Sequence, residues 1–121
     1  MVKYSLAWIA SMHHRSQGRH DLWTAFIKEH LDAWHHHACH ELYDDEPHAT
    51  DFAPLDAYLA GLAEMESTQI GAVTPEWVLH PCRFLQKPFF VSQLPSLRCE
   101  ALLYTPTSLR RRMVFTGFVD V

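Results

Sequence analysis

The chain has 121 residues, of which 48% are hydrophobic and 20% charged, the balance of one ordinary globular domain rather than of a disordered segment. Ten Lys and Arg stand against fourteen Asp and Glu, a formal charge of −4, which argues against a protein that coats nucleic acid. Cys39, Cys82 and Cys99 are an odd number without CxxC spacing, so neither a disulfide framework nor a cysteine zinc knuckle is predicted. We therefore expect a single domain in a reducing, cytoplasmic compartment.

The N-terminal segment, MVKYSLAWIASMHH, contains an apolar run of about seven residues, shorter than a helix that crosses a membrane. We interpret it as a short buried helix or strand rather than as a signal or a membrane anchor. Gly18 is expected to end this element, because glycine readily adopts the left-handed conformation found after helices.

The longest helical pattern covers residues 21–42, DLWTAFIKEHLDAWHHHACHEL, and contains five of the ten histidines. At about 100° per residue, one face of this helix is apolar, with Trp23, Ile27 and Trp34 near its centre. Asp21 is the predicted N-cap, because its carboxylate can accept hydrogen bonds from the free amides of the first turn.

The histidines of this helix divide into two groups. His36 and His40 fall on the solvent side, whereas His30, His37 and Glu41 fall within the apolar sector. Polar side chains in an apolar seam must be hydrogen-bonded, so the second group is predicted to have buried partners.

A second helix is predicted after an acidic run that ends at Pro47, since proline disfavours helical geometry in the residue before it. Thr50 or Asp51 caps this helix, which continues to Thr68 and packs antiparallel on the first. Five of the seven prolines follow Gly71, and they predict only short helices. Residues 82–94 are expected to be extended and to insert Phe84, Leu85, Phe89 and Phe90 into the core.

These elements together predict an all-α fold. Residues 1–121 form a single helical domain with two long antiparallel helices. Residues 1–70 supply the long-helix core, and residues 71–121 supply a wrapping, proline-punctuated C-terminal half of short helices.

The histidine-rich helix carries a metal-binding hypothesis, because imidazoles at positions i and i+4 can both reach one ion. His36 pairs with His40 in this way, and His37 pairs with Glu41, which would suit zinc or nickel. A third ligand would have to come from elsewhere in the chain: His13, His14, His48, Glu64, Glu66 or His80. The alternative, which we favour, is that these histidines are solvated or hydrogen-bonded, because signatures such as HExxH are missing and no cofactor is otherwise indicated.

No catalytic residue is predicted. His35 lies four residues before Cys39 and could lower the pKa of its thiol, but a small residue on a helix flank is the commoner meaning of that spacing. The four glycines are isolated, so a glycine-rich phosphate loop is not indicated.

A cluster of arginines with neighbouring aromatic residues marks the C-terminal end as a candidate partner-binding surface. Arginine and exposed aromatic side chains are concentrated at protein interfaces, although a solvated helix end would also favour arginine. The candidate residues are Arg98, Arg110, Arg111, Arg112, Phe115 and Phe118.

Residues 59–118 also contain a linear pattern: a helix followed by Pro-x-Trp, Pro-Phe-Phe, Leu-Arg and Thr-Pro-x-x-Leu-Arg-Arg-Arg. It is carried by Pro75, Trp77, Pro88, Phe89, Phe90, Leu97, Arg98, Thr105, Pro106, Arg110, Arg111, Arg112 and Phe115. The pattern resembles the C-terminal part of a group of small bacterial proteins that are similar to antitoxin-like partners of nucleotidyltransferase-type proteins. The resemblance implies a non-catalytic partner protein, and it leaves the histidine-rich first half uncovered.

The sequence therefore favours a non-catalytic protein-interaction module, antitoxin-like, whose partner is another protein or a second copy of the chain. The alternative is a helical transition-metal-binding protein. Nucleic-acid binding is a distant third, and no association with a membrane is expected.

Overall fold

The computed structural model describes residues 2–17, 19–92 and 94–117, and the side chains of His20 and Asp21 lie outside that description. The described residues form helices α1 (Leu6–Arg15), α2 (His20–His36), α3 (Ala53–Gln69), α4 (Arg98–Tyr104) and α5 (Thr107–Arg110), and strands β1 (Phe89–Phe90) and β2 (Val114–Phe115). Short 3-10 turns cover His40–Leu42, Glu76–Leu79, Pro81–Arg83 and Pro95–Leu97. The prediction of a mostly helical protein is confirmed, while the small parallel sheet was not predicted.

Helices α1 and α2 form an antiparallel hairpin. Ser5 caps α1 by accepting a hydrogen bond of 3.1 Å from the Trp8 amide. The Trp8 ring packs edge-on against Phe26 at 5.6 Å between ring centres, and the Tyr4 carbonyl lies 2.6 Å from Nδ1 of His30. Later residues of α1 therefore meet earlier residues of α2, which defines the antiparallel direction.

The direction of α3 relative to α2 differs from the prediction. Trp23 contacts Tyr58, with 5.9 Å between ring centres, and Trp34 donates a 3.0 Å hydrogen bond to Gln69. The sequence offset between partners stays at 35 residues along both helices, so α2 and α3 run parallel and the antiparallel prediction is corrected. A parallel pair needs a return path of about 25 Å for a seventeen-residue helix, and residues 37–52 supply it.

The return segment is fastened by a buried arginine from the C-terminal half. Arg83 is 2% exposed, and its guanidinium donates to the carbonyl oxygens of Pro47 at 2.6 Å and of Asp56 at 3.3 Å. It also lies over the Trp77 ring at 4.9 Å. These contacts hold the return segment against the start of α3.

The ends of α2 also differ from the prediction. The helix begins at His20 after Arg19, without a side-chain cap, so Asp21 lies inside the first turn and is not the N-cap. It stops at His36, and His37 already has extended geometry. The chain turns away there and buries Leu42 and Tyr43 against the core, with the Tyr43 ring 6.0 Å from that of Trp34. Gly18, the predicted end of the first element, lies outside the described residues.

Helix α3 lies at the centre of the core, and all but one of the residues from Leu55 to Ser67 are buried. A helix with this burial on every side must be covered all round, and α2, α5 and the turns Glu76–Leu79 and Pro81–Arg83 cover it. The C-terminal half therefore wraps a single central helix.

Gly61 is the closest point of approach between α3 and α5. A Cβ atom at this position would lie 2.4 Å from Cδ2 and 3.2 Å from Cα of Leu109. We expect Gly61→Ala to lower the free energy of unfolding by about 1–3 kcal/mol through overpacking, although alanine ordinarily stabilises a helix interior by about 1 kcal/mol. Thermal unfolding of Gly61→Ala, Leu109→Ala and the double variant measures this loss of stability. A Gly61→Ala protein that is more stable than the wild type would contradict the close approach.

The segment predicted to be extended, residues 82–94, is extended only in part, because Cys82 and Arg83 belong to a 3-10 turn. The four side chains predicted to enter the core are only half-buried, namely Phe84, Leu85, Phe89 and Phe90. Phe89 pairs with Val114 and Phe90 with Phe115 in parallel register, and the Phe89 amide donates to the Met113 carbonyl at 2.8 Å. Phe89 is half-buried and packs against Phe52 at 5.6 Å between ring centres.

Within the described ranges, no helix has both the length and the apolar character needed to cross a bilayer.

Candidate functional site

The arginine predicted to be central to a partner surface is inside the protein. Arg112 is 0% exposed, and its guanidinium donates to the carbonyls of Ser108 at 2.8 Å and Val78 at 2.9 Å and lies 3.2 Å from Oε2 of Glu64. It also stacks over the Phe84 ring at 4.5 Å. Burial lowers the pKa of Arg112, while the Glu64 carboxylate opposes that shift. Arg112 therefore joins α3, α5 and the turn after Pro75, and its assignment to a partner surface is corrected.

The other predicted partner residues divide between core and surface. Phe115 is 7% exposed and stacks on Phe90 at 5.2 Å, so it is also largely buried. Arg111 forms an ion pair with Glu64 and keeps about two-fifths of its side chain exposed. Arg98 and Arg110 are exposed, and Phe118 lies outside the described residues.

A different surface stands out beside these arginines. Residues 94–104, which we call the α4 segment, contain α4 and the turn that precedes it. Only Ala101 is buried in this segment. Of the nine large apolar side chains exposed among the described residues, five belong to it: Leu94, Leu97, Leu102, Leu103 and Tyr104.

Helix α4 is apolar on its outer side as well as on its inner side. At about 100° per residue, Cys99 and Leu103 lie opposite the buried Ala101, with Leu102 beside them. The side chain of Leu103 is 63% exposed and that of Leu102 is 48% exposed. Arg98 and Glu100 lie on the flanks of this helix, but the side opposite Ala101 carries only apolar residues. This spacing is the sequence signal for the surface.

The helical spacing assumed for the histidine metal pairs does not exist. Because α2 ends at His36, neither His36 with His40 nor His37 with Glu41 lies one turn apart on a common helix. The Nδ1 atom of His36 instead lies 2.8 Å from the Asp32 carbonyl. His37 is exposed, so its predicted position in the apolar seam is corrected.

The turn that replaces the end of this helix brings together three other ligand atoms. The Cys39 sulfur, a His40 ring nitrogen and a Glu41 carboxylate oxygen all lie within 4.8 Å of one another. Asp44 is hydrogen-bonded to Nδ1 of His40, and this bond is the main reason that the pKa of His40 is raised. A thiolate, an imidazole and a carboxylate are ligands that zinc accepts. His40 and Glu41 therefore remain candidate metal ligands at this turn, with Cys39 as the third.

His30 is the member of the inward-facing group that has the predicted buried partner. It is 0% exposed, as is Glu66, and Nε2 of His30 lies 2.7 Å from Oε2 of Glu66. The Tyr4 carbonyl can only accept, so Nδ1 of His30 carries a proton.

Burial dominates the electrostatics of this pair. It raises the pKa of Glu66, and the hydrogen bond and charge of His30 oppose the shift only in part. The second oxygen of Glu66 has no hydrogen-bond partner among the described residues. On the far side of the pair, Tyr4 has φ of 65°, a conformation that non-glycine residues rarely adopt. The pair is thus a closed polar contact that joins α2 to α3 without an open cleft.

Comparison with protein-family models, curated proteins and solved structures finds no match to this chain.

Proposed function

We propose that this protein is a non-catalytic protein-interaction module that binds its partner through the α4 segment. The observation that carries the proposal is the exposure of Leu102 and Leu103 on the outer side of α4. Large contiguous apolar patches are uncommon on monomers and mark interaction sites. The partner would cover this helix and supply the environment that its sequence requires.

Two exposed arginines among the predicted partner-binding residues suit the same role. Arg98 is exposed with its guanidinium 5.2 Å from the centre of the Phe90 ring, and Arg110 is exposed on α5. Arginine and aromatic side chains around an apolar centre are typical of binding hot spots. Arg98 and Arg110 thus remain partner-binding candidates.

The sequence resemblance supplies the class of partner that we propose. Proteins with this C-terminal pattern resemble antitoxin-like partners of nucleotidyltransferase-type proteins, and the pattern includes Leu97 and Arg98 of the α4 segment. We propose the same role here, in the cytoplasm, where Cys39, Cys82 and Cys99 would remain thiols as they are in the structure.

The test is co-expression with the protein encoded beside this chain, followed by size-exclusion chromatography. We expect one complex for the wild type and two separate peaks for Leu102→Glu/Leu103→Glu, because two carboxylates would be buried without partners. Leu79→Glu is the matched control, since Leu79 is 60% exposed against 63% for Leu103 but lies outside the α4 segment. A complex that survives the double change would show that α4 is not the interface, and separate wild-type peaks would count against this partner.

Metal binding at the 3-10 turn is the second candidate function. It is supported by the grouping of Cys39, His40 and Glu41 within 4.8 Å, with zinc or nickel as the expected ion. We expect Cys39→Ser/His40→Ala to retain one equivalent of zinc less than the tag-free wild type after dialysis, as measured by elemental analysis. Equal metal content in the two proteins would exclude the turn as the site.

A further inference from the structure

A second cluster of histidines lies away from the turn and from the α4 segment. The last turn of α1 and the segment 48–51 before α3 enclose a cleft of about 550 Å³. We call it the histidine cleft. Its lining includes His13 and His14 from α1 and His48 and Asp51 from the later segment. The two groups are some 35 residues apart in the sequence and come together only in the fold.

Two exposed imidazoles face each other across the histidine cleft. The rings of His14 and His48 are 6.1 Å apart between centres and nearly perpendicular, at 89°. Two imidazoles on one tetrahedral zinc ion, with Zn–N bonds of about 2.1 Å, have their ring centres about 5 Å apart. The two side chains are exposed, so closing this difference needs only side-chain rotation.

Asp51 also lines the histidine cleft and is held by a buried neighbour. Asp51, whose side chain is 75% exposed, lies 2.9 Å from Nε2 of His13, which is 1% exposed. A buried histidine that orients a ligating carboxylate is a usual feature of metal sites. The cleft also lies at the C-terminal end of α1, where the helix dipole favours a cation.

We propose that the histidine cleft binds a divalent transition metal of the zinc class through His14, His48 and Asp51, with His13 as a positioning residue for Asp51. Neutral imidazole and carboxylate ligands suit zinc, and a solvent molecule would fill the fourth position. The ion would add a second link between the end of α1 and the segment before α3, where His13 and Asp51 already meet.

Zinc titration by isothermal calorimetry on tag-free, chelator-treated protein tests the proposal. We expect one zinc equivalent at this site, and we expect His14→Ala/His48→Ala to abolish it. His35→Ala/His36→Ala also removes two exposed histidines and is expected to leave this zinc equivalent intact. Cys39→Ser/His40→Ala alters the other candidate site and is expected to leave it intact as well. An unchanged zinc equivalent in His14→Ala/His48→Ala, or an equal loss in His35→Ala/His36→Ala, would overturn the proposal.

The positioning role of His13 has its own readout. We expect His13→Ala to weaken zinc binding by about 10- to 100-fold, and His13→Gln, which keeps an N–H donor for Asp51, to recover most of that loss. Circular dichroism in chelator identifies variants that do not fold, and a folded His13→Ala protein that binds zinc as tightly as the wild type would refute the role. Because the α4 interaction is tested without metal, failure of one proposal leaves the other standing.

Discussion

Replacing Arg112 by alanine should lower the free energy of unfolding by about 3–5 kcal/mol, the cost of removing one partner from a buried charged contact. The change would leave the carbonyls of Ser108 and Val78 without their donor and would leave Glu64 with Arg111 as its remaining charged partner. It would also remove the cation that stacks on Phe84. A loss of this size is a large part of the stability of a domain of this length.

Two further arginine variants make this expectation specific. Arg110→Ala removes an exposed guanidinium from the neighbouring helix and should change stability by no more than about 0.5 kcal/mol. Arg112→Lys keeps the charge but cannot donate in a planar fork to two carbonyls and a carboxylate, so it should lie between alanine and the wild type. Urea unfolding measures all three proteins. An Arg112→Ala variant as stable as Arg110→Ala would mean that Arg112 belongs to the surface after all.

Replacing Glu66 by glutamine should make the protein progressively more stable than the wild type as the pH rises above 4.5, the ordinary value for this carboxyl. Burial raises the pKa of Glu66 in the folded state, so between that value and the raised pKa the folded protein holds a proton that the unfolded chain has released. Wild-type stability is therefore lost across this window as the pH rises. Glutamine has no proton to lose, and its amide can donate to His30 in place of the protonated carboxyl.

The quantity to compare is the difference in the free energy of unfolding between wild type and Glu66→Gln at each pH. It should change by up to about 1.4 kcal/mol per pH unit within the window, as measured by urea unfolding from pH 4 to pH 8. Glu29→Gln makes the same chemical change at an exposed position and serves as the control. A difference for Glu66→Gln that stays constant with pH, or that moves in favour of the wild type, would contradict the raised pKa.

Local pattern was enough to predict much of the helical structure. The apolar spacing through Trp23, Ile27 and Trp34 correctly placed most of α2. The helix predicted to continue to Thr68 is α3, whose apolar residues are Leu55, Tyr58, Leu59, Leu62 and Met65, but it begins at Ala53 after Phe52, so Thr50 and Asp51 are not its N-cap. These patterns depend on side chains within a few turns of one another, and the burial of all the residues in both apolar patterns is observed. The need of His30 for a buried partner followed from the same periodicity, because a polar group in an apolar seam has to be satisfied.

The errors have a common cause, which is competition from contacts between distant residues. The helical pattern continues to Leu42, but α2 ends at His36 and the chain after it buries Leu42 and Tyr43 against the core, which removes both predicted metal pairs. The direction of α3 was not encoded in either helix, since a long return segment permits a parallel pair as readily as a short turn imposes an antiparallel one. Arg112 was assigned to the surface because its partners, Val78 and Glu64, are more than thirty residues away.

By itself, therefore, the sequence determined the mostly helical class, the positions of α2 and α3 and the requirement that His30 have a buried hydrogen-bond partner. Each of these depends on the amphipathic character of one segment. Only the tertiary structure decided that Glu66 satisfies His30, that Arg112 is internal, that α4 keeps an apolar outer side and that His14 and His48 share a cleft. These properties depend on which segments are neighbours, and burial and hydrogen bonding across the whole chain set those neighbours.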